Sequence, residues 1–151
     1  YFRYKVYRTQ LAPTSGSMGY GLPAAVSAKL AHPERTVVCL AGDGCFQMSM
    51  QEFGTAVQYG ANIIAIVVNN GVYGTIRMHQ QKTYPDRPSG TDIRNPNFAA
   101  LARSYGGFGA TITKTDQFAD AFAAALAAKA PAILDVQTDP RAVTTRSSTA
   151  S

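Results

Sequence analysis

Apolar residues in this chain fall into four short runs separated by longer mixed segments. Residues 36–41 and 62–68 are nearly continuous in apolar and β-branched side chains, which predicts strands covered on both faces of a sheet. Residues 108–113 and 132–137 form two further runs of strand length. The spacing leaves room for a helix between most neighbouring strands, which is typical of α/β domains.

The mixed segments carry helix signals. Helices are predicted at residues 23–30, 46–59, 75–80, 98–105 and 116–129. Gly60 closes the second and Asn97 caps the fourth, while Phe118, Phe122 and Leu126 form one stripe on the last. Residues 81–96 are predicted to be a loop, either a lid or a plain connector. The order predicts an α/β fold with an open, mostly parallel sheet flanked by helices.

Composition narrows the class of protein. The 151 residues, 46% hydrophobic and 15% charged, predict one globular domain over residues 1–140 with a flexible tail at 141–151. The first eight residues interleave aromatics with cations, but no nucleic-acid-binding module accompanies them, so nucleic acid is not the expected partner. A basic, non-catalytic α/β binding module remains the alternative to an enzyme.

The sequence also bears on membrane insertion and on the compartment of the protein. No apolar stretch is long enough to predict a membrane span. Cys39 and Cys45 lack the spacing of a zinc site or a disulfide scaffold, which predicts a cytoplasmic protein. The chain opens on Tyr1, which favours an N-terminally truncated piece of a longer protein.

Polar residues follow the first two predicted strands where each strand ends. Gly42-Asp43-Gly44 follows one strand, Asn69-Asn70 follows the other, and the 24 residues from Cys45 to Val68 suffice for one helix and one strand. Parallel strands place their carboxyl ends at the same edge of the sheet. Either turn alone is common, but together they predict a magnesium–diphosphate site.

The residue types at this site suit a metal ion and a phosphate group. Asp43 offers an anionic oxygen, Asn70 an amide oxygen and Val72 a backbone carbonyl, which together suit Mg²⁺. Backbone N–H groups of Gly44 and Cys45 can bind phosphate.

The pattern from Gly42 to Asn70 resembles the signature of the thiamine-diphosphate-dependent enzymes. Residues 12–25 and 69–77 further resemble the acetolactate synthase and benzoylformate decarboxylase group, and the likeness covers roughly residues 12–138. It implies the thiamine-diphosphate-binding fold, with thiamine diphosphate and Mg²⁺ as cofactors. It also implies a 2-keto acid substrate that is decarboxylated, or whose carbanion is ligated to an aldehyde or keto acid.

The same resemblance implies roles for individual residues. The Gly16 carbonyl would accept a hydrogen bond from the aminopyrimidine, and Met18 would prop the cofactor into its bent shape. The full set of cofactor-binding residues would be Gly16, Ser17, Met18, Asp43, Gly44, Cys45, Asn70, Val72, Tyr73, Gly74 and Thr75, with Asp43, Asn70 and Val72 also holding the metal. His79 is either a proton relay or a solvent-facing residue of the helix.

Two departures from the family pattern limit the prediction. The family's activating glutamate lies on a separate domain, and neither Glu34 nor Glu52 can replace it. We therefore expect no catalytic acid in this chain, an inactive isolated fragment, and a homodimer or homotetramer whose site is shared between subunits. A natural small subunit that pairs with a second chain is the alternative. The pyruvate-decarboxylase-like branch carries an acid on the helix after the Asn pair. Ile76 occupies that place here, which argues against that branch. The motifs do not specify the keto acid, the acceptor or the use of FAD.

Overall fold

The computed structural model describes residue 3 and residues 5–142. Its centre is a four-stranded sheet of β1 (Val38–Gly42), β2 (Ile64–Asn69), β3 (Phe108–Ile112) and β4 (Ala132–Gln137) in the order β1-β2-β4-β3. All three strand pairs are parallel. The predicted α/β class is therefore confirmed.

Within the described residues, six helices connect and cover these strands. They are α1 (Gly21–Ala31), α2 (Asp43–Gln47), α3 (Glu52–Gln58), α4 (Gly74–Thr83), α5 (Phe98–Ser104) and α6 (Gln117–Ala127). The single helix predicted at residues 46–59 was wrong, because a turn from Met48 to Gln51 divides it. The Ser49 hydroxyl in that turn donates to the Gly19 carbonyl at 2.8 Å, so a tertiary contact fixes the break.

The larger core lies between the sheet and helices α1, α3 and α5. Its fully buried members include Phe46, Phe53, Phe98, Ile63 and Ile133. The rings of Phe46 and Phe98 pack edge to face, with centroids 5.5 Å apart. This packing anchors α2, and with it the first turn after β1, to the body of the domain.

The opposite face of the sheet carries a smaller core under α6. Ala125 of α6 is buried against this face, whereas Phe118 and Leu126 are 36% and 49% exposed. Of the predicted stripe, Phe122 is half-buried and packs against this core, while Phe118 and Leu126 lie at its exposed margin. The small side chains of Ala121 and Ala125 let α6 approach the strands closely.

Strand β1 differs from its prediction. The side chains of Val38 and Leu40 are 43% and 71% exposed, although both faces of this strand were predicted to be covered. β1 is at the edge of the sheet, and α6 packs on β3 and β4 instead. β2 fulfils the prediction, because it lies between two strands and most of its residues are buried.

The register sets where functional groups meet. Gly42 at the end of β1 pairs with Val68, and Asn69 at the end of β2 pairs with Gln137 of β4. These three strand ends therefore form one edge.

Some predictions fall on parts of the chain that the structure does not cover. Of the predicted tail 141–151, residues 143–151 lie outside the described residues, as do residues 1, 2 and 4. Within the described part, no helix has the length and apolar character needed to cross a membrane.

Candidate functional site

Asp43 is the centre of the carboxyl edge. It is the first residue of α2, directly after β1, and only 3% exposed. Its Oδ2 accepts hydrogen bonds from the Gly71 N–H at 2.8 Å and the Asn95 side-chain amide at 2.7 Å. Its Oδ1 accepts from the Gly44 N–H at 2.8 Å. The two turns predicted to meet, 28 residues apart, are thus joined through this carboxylate.

The turn after β2 presents the second group of oxygens. The Asn70 Oδ1 accepts from the Val72 N–H at 3.1 Å, closing a tight turn through Gly71. Gly71 has φ +69°, a conformation that side-chain-bearing residues rarely adopt. Val72 itself is buried and forms an antiparallel bridge with Asp92.

A buried polar network lies beneath these turns, and most of it was missed at the level of sequence. The Asn69 Nδ2 donates to the Asp135 Oδ1 at 2.9 Å, and the Asn69 Oδ1 accepts from the Asn95 Nδ2 at 2.7 Å. Gln47 and Gln137 complete it, donating to Asn95 and Asp135 respectively. Every buried side-chain polar atom among the described residues has a partner.

Asp135 is a buried acid at the base of this network. Burial raises the pKa of its carboxyl, and the hydrogen bonds from Asn69 and Gln137 oppose that rise. A carboxylate within the apolar run of β4 was the available signal, because a buried charge requires polar partners. Asn95 carried no comparable signal, since it lies in the segment assigned to a loop.

The glycine-rich segment before α1 is attached to the same region. Gly16 and Gly19 have φ of +68° and +84°. A Cβ on Gly19 would lie 2.9 Å from the Met48 Cβ, so only glycine fits against the turn after α2. Ser17 lies in hydrogen-bond distance of Ser15, and Met18 is 43% exposed.

The start of α4 lies close to the turn that carries Asp43. A Cβ on Gly44 would lie 2.7 Å from the Tyr73 ring, so the ring lies directly against this glycine. Gly74 starts α4, and Thr75 behind it is exposed.

His79 of α4 and Cys45 of α2 complete the predicted set. His79 is exposed on α4, as are Thr75 and Ile76. Cys45 of α2 is half-buried.

The segment predicted to be a loop has a fixed half and an exposed half. α4 extends to Thr83, three residues beyond the predicted end, and residues 84–90 are exposed. Residues 91–95 return to the site: Tyr73 donates to the Thr91 carbonyl and Ile93 to the Gly71 carbonyl, each at 2.8 Å. The exposed residues 84–90 are also tied to α4, because Ser89 and Gln80 exchange two hydrogen bonds of 2.7 and 3.2 Å.

The ligand set has the chemistry of a site for a hard cation with an anionic partner. No group of three or more His, Cys, Asp or Glu side chains within the described ranges is arranged to hold a metal. Asp43 is the single carboxylate, and Asn70 and Val72 offer neutral oxygens. A divalent cation here would need further anionic oxygens from its ligand, as Mg²⁺ commonly takes from phosphates.

A parallel α/β domain with a polar site at the carboxyl ends of its strands belongs to the class that binds a cofactor at that edge. Residues 1–136 match the family model described as the thiamine pyrophosphate enzyme C-terminal TPP-binding domain, and the chain belongs to this family. The resemblance read from the motifs is confirmed, and so is thiamine diphosphate as the cofactor of the domain type.

Acetolactate synthases are among the relatives that the chain is similar to. The chain is 46% identical over 124 residues to an acetolactate synthase of Arthrospira platensis, covering 81% of this chain and 21% of that protein. It is 47% identical over 104 residues to the acetolactate synthase large subunit of Haemophilus influenzae, covering 68% of this chain and 18% of that protein. The chain thus spans about a fifth of the length of these relatives.

A solved structure supports the same fold. The thiamine diphosphate-dependent 4-hydroxybenzoylformate decarboxylase of Rhodococcus jostii RHA1 superimposes with a TM-score of 0.78 at 38% identity. The match covers 84% of this chain and 24% of that one. The parallel sheet with flanking helices is therefore the thiamine-diphosphate-binding fold.

Proposed function

We propose that this chain is the thiamine-diphosphate- and Mg²⁺-binding domain of an acetolactate synthase-like enzyme. The enzyme decarboxylates a 2-keto acid, ligates the resulting carbanion to an aldehyde or keto acid, or does both. The observation that carries the proposal is the 2.8 Å hydrogen bond from the Gly71 N–H to the Asp43 Oδ2, which unites the two halves of the motif. The activities printed for the relatives, a synthase and a decarboxylase, support the reaction class.

Two of the proposed metal ligands, Asp43 and Asn70, each keep an oxygen that can accept a further partner. The Asp43 Oδ2 already accepts two hydrogen bonds, whereas the Oδ1 accepts one and can accept another partner. The Asn70 Oδ1 likewise accepts one bond in the turn. We assign these two oxygens and the Val72 carbonyl to Mg²⁺, with cofactor phosphate oxygens and water completing six ligands.

Diphosphate binding requires one hydrogen bond of the protein to be exchanged. The Gly44 N–H, proposed as a phosphate donor, already donates to the Asp43 Oδ1. A diphosphate must compete with that carboxylate for the N–H, and pairing of the Oδ1 with a cation lowers the cost of the exchange. Cys45, half-buried in the next position of α2, is the adjoining donor in the proposal.

The ring end of the cofactor is assigned to the glycine-rich segment and the start of α4. The exposed Met18 side chain is free to contact a ligand, and the Gly16 carbonyl is assigned to the aminopyrimidine. Ser17, Tyr73, Gly74 and Thr75 complete the proposed cofactor set. Thiamine diphosphate supplies the electron sink that a decarboxylation or carboligation of a 2-keto acid needs.

The activating acid is proposed to lie outside this chain. The Glu52 Oε2 accepts a hydrogen bond from Thr55 within α3, and Glu34 lies in the turn before β1. We therefore propose a homodimer or homotetramer whose site is completed by another domain, and an isolated domain without activity. His79, exposed on α4, is proposed as a proton relay.

Titration of the full-length protein with thiamine diphosphate tests the proposal. Calorimetry with and without Mg²⁺ should show binding that EDTA abolishes and Asp43→Ala eliminates. Asp120→Ala is the matched control, because Asp120 is exposed on α6. Release of carbon dioxide from a panel of 2-keto acids then identifies the substrate. Normal Mg²⁺-dependent binding by Asp43→Ala would refute the assigned site.

A further inference from the structure

We propose that Asn95 is a positioning residue that holds Asp43 for the metal, an inference that rests on the proposed function. The Asn95 Nδ2 lies 2.7 Å from the Asp43 Oδ2 and 2.7 Å from the Asn69 Oδ1. Its Oδ1 accepts from the Gln47 Nε2 at 2.6 Å. One side chain from the returning segment thus joins the carboxylate of one turn to the asparagine of the other.

The chemistry of the partners fixes the orientation of this amide. An ionised Asp43 only accepts hydrogen bonds, so the Nδ2 of Asn95, not its Oδ1, must face it. The Oδ1 then faces the Gln47 amide, which donates. Asn69 is fixed in the same way, because its Nδ2 faces the Asp135 carboxylate and leaves its Oδ1 for Asn95. Reversal of either asparagine would place a carbonyl against a carboxylate.

The segment that carries Asn95 is itself held in place. Ile93 donates to the Gly71 carbonyl, and the Arg77 side chain binds Thr91 and Asp92. Thr91 is only 1% exposed. Asn95 therefore approaches Asp43 from a backbone that is anchored two residues earlier, which a positioning role requires.

The two carboxylate oxygens of Asp43 therefore have different roles: the Oδ2 is held by the protein, and the Oδ1 faces the cation in this proposal. The Gly71 N–H and Asn95 occupy the Asp43 Oδ2, which leaves the Oδ1 as the oxygen that can turn to a cation. Mg²⁺ demands nearly ideal octahedral geometry, whereas Ca²⁺ tolerates irregular ligands. Loss of Asn95 should therefore harm Mg²⁺ binding more than Ca²⁺ binding.

The test compares Asn95→Ala with Asn97→Ala in the full-length protein. Asn97 lies two residues on and caps α5, its Oδ1 accepting from the Ala100 N–H at 2.7 Å. Its loss should weaken only this helix cap, while every hydrogen bond to Asp43 stays in place. The measurement is thiamine diphosphate binding by calorimetry at increasing Mg²⁺ and, separately, at increasing Ca²⁺.

In Asn95→Ala we expect the Mg²⁺ concentration for half-maximal cofactor binding to rise by about 10-fold or more, the effect typical of residues that orient metal ligands. The Ca²⁺ concentration should change by less than about 3-fold. Asn97→Ala should keep both values. An unchanged Mg²⁺ requirement in Asn95→Ala, or an equal rise in Asn97→Ala, would overturn the assignment of Asn95.

Gln47→Leu provides a second variant should Asn95→Ala fold poorly. It removes the donor to the Asn95 Oδ1 and should raise the Mg²⁺ requirement in the same direction, by about 3-fold. An unchanged requirement would count against the inference. The wild-type protein separates the two proposals. If its cofactor binding does not need Mg²⁺, the proposed function is wrong. If its binding needs Mg²⁺ but Asn95→Ala leaves the requirement unchanged, only the role of Asn95 is wrong.

Discussion

The side-chain amide of Asn69 donates a hydrogen bond of 2.9 Å to the Oδ1 of Asp135, a carboxylate that is 2% exposed. Asn69 ends β2 and Asp135 lies within β4, the neighbouring parallel strand. The pair ties the turn that carries Asn70 to the centre of the sheet. Stability of the turn therefore depends on a buried charge and its partners.

Replacement of Asp135 by alanine should destabilise the protein by about 2 kcal/mol, because it leaves the buried Asn69 amide without an acceptor. Chemical denaturation measures the change. Gln137→Ala is the control: Gln137 also donates to Asp135, but it is exposed and water can replace its partner. Equal losses in the two variants would contradict the special role of the buried pair.

The pH dependence of stability should reveal the same carboxyl. Burial raises the pKa of Asp135 above its ordinary 3.8, so the folded state keeps this proton to higher pH than the unfolded state does. The associated stabilisation is complete below the ordinary pKa and is lost as pH rises through the raised pKa. The Tm of the wild type relative to Asp135→Asn should therefore fall as pH rises above the ordinary carboxyl pKa of 3.8. A Tm difference independent of pH would argue against the raised pKa.

The two cysteines should react at different rates. Cys39 is 4% exposed and burial raises the pKa of its thiol to about 11, whereas Cys45 is half-buried. At pH 8 only about one Cys39 thiol in a thousand is the reactive thiolate. Iodoacetamide should label Cys45 at least about 10-fold faster, as read by peptide mass spectrometry.

Ligand protection extends the cysteine experiment. With Mg²⁺ and thiamine diphosphate present, labelling of Cys45 should slow, because this residue adjoins the proposed diphosphate site. Labelling of Cys39 serves as the internal control. Equal rates for the two thiols without ligand would show that Cys39 is not enclosed as described.

Gly109 in β3 should not tolerate a side chain. A Cβ at this position would overlap the carbonyl oxygen of Ala99, a backbone atom of α5. Gly109→Ala should therefore cost about 3 kcal/mol or more by forcing α5 away from the sheet. Gly42→Ala is the matched control, since nothing lies within 4 Å of its Cβ position and its φ is −69°. Thermal unfolding of both variants distinguishes the two outcomes.

Arg77 should control the order of the segment that reaches the site. It binds Asp92 at 2.8 Å and also the hydroxyl of the buried Thr91. Arg77→Ala should cost about 1–2 kcal/mol, chiefly through Thr91, and trypsin should cut faster after Arg94, an exposed residue of the same segment. The rate of cutting after Arg103 of α5 is the reference. Unchanged cleavage after Arg94 would show that Arg77 does not hold this segment.

Local signals in the sequence determined much of this fold. β4 was predicted at residues 132–137, where it is found, because an apolar run of that length fits a central strand. Gly60 ends α3 with φ +63°, and Asn97 caps α5 through a side-chain hydrogen bond. The pairing of Asp43 with the turn at Gly71 also followed, since consecutive parallel strands end at one edge.

Tertiary structure decided the rest. Leu40 is exposed because its strand is at the edge of the sheet, a position that hydrophobicity does not encode. The break between α2 and α3 depends on Ser49 reaching Gly19, which lies 30 residues earlier. The contact of Asn95 with Asp43 spans 52 residues and depends on how a loop returns to the sheet. Hydrogen bonds between such distant residues have no periodicity in the sequence, so only the folded chain reveals them.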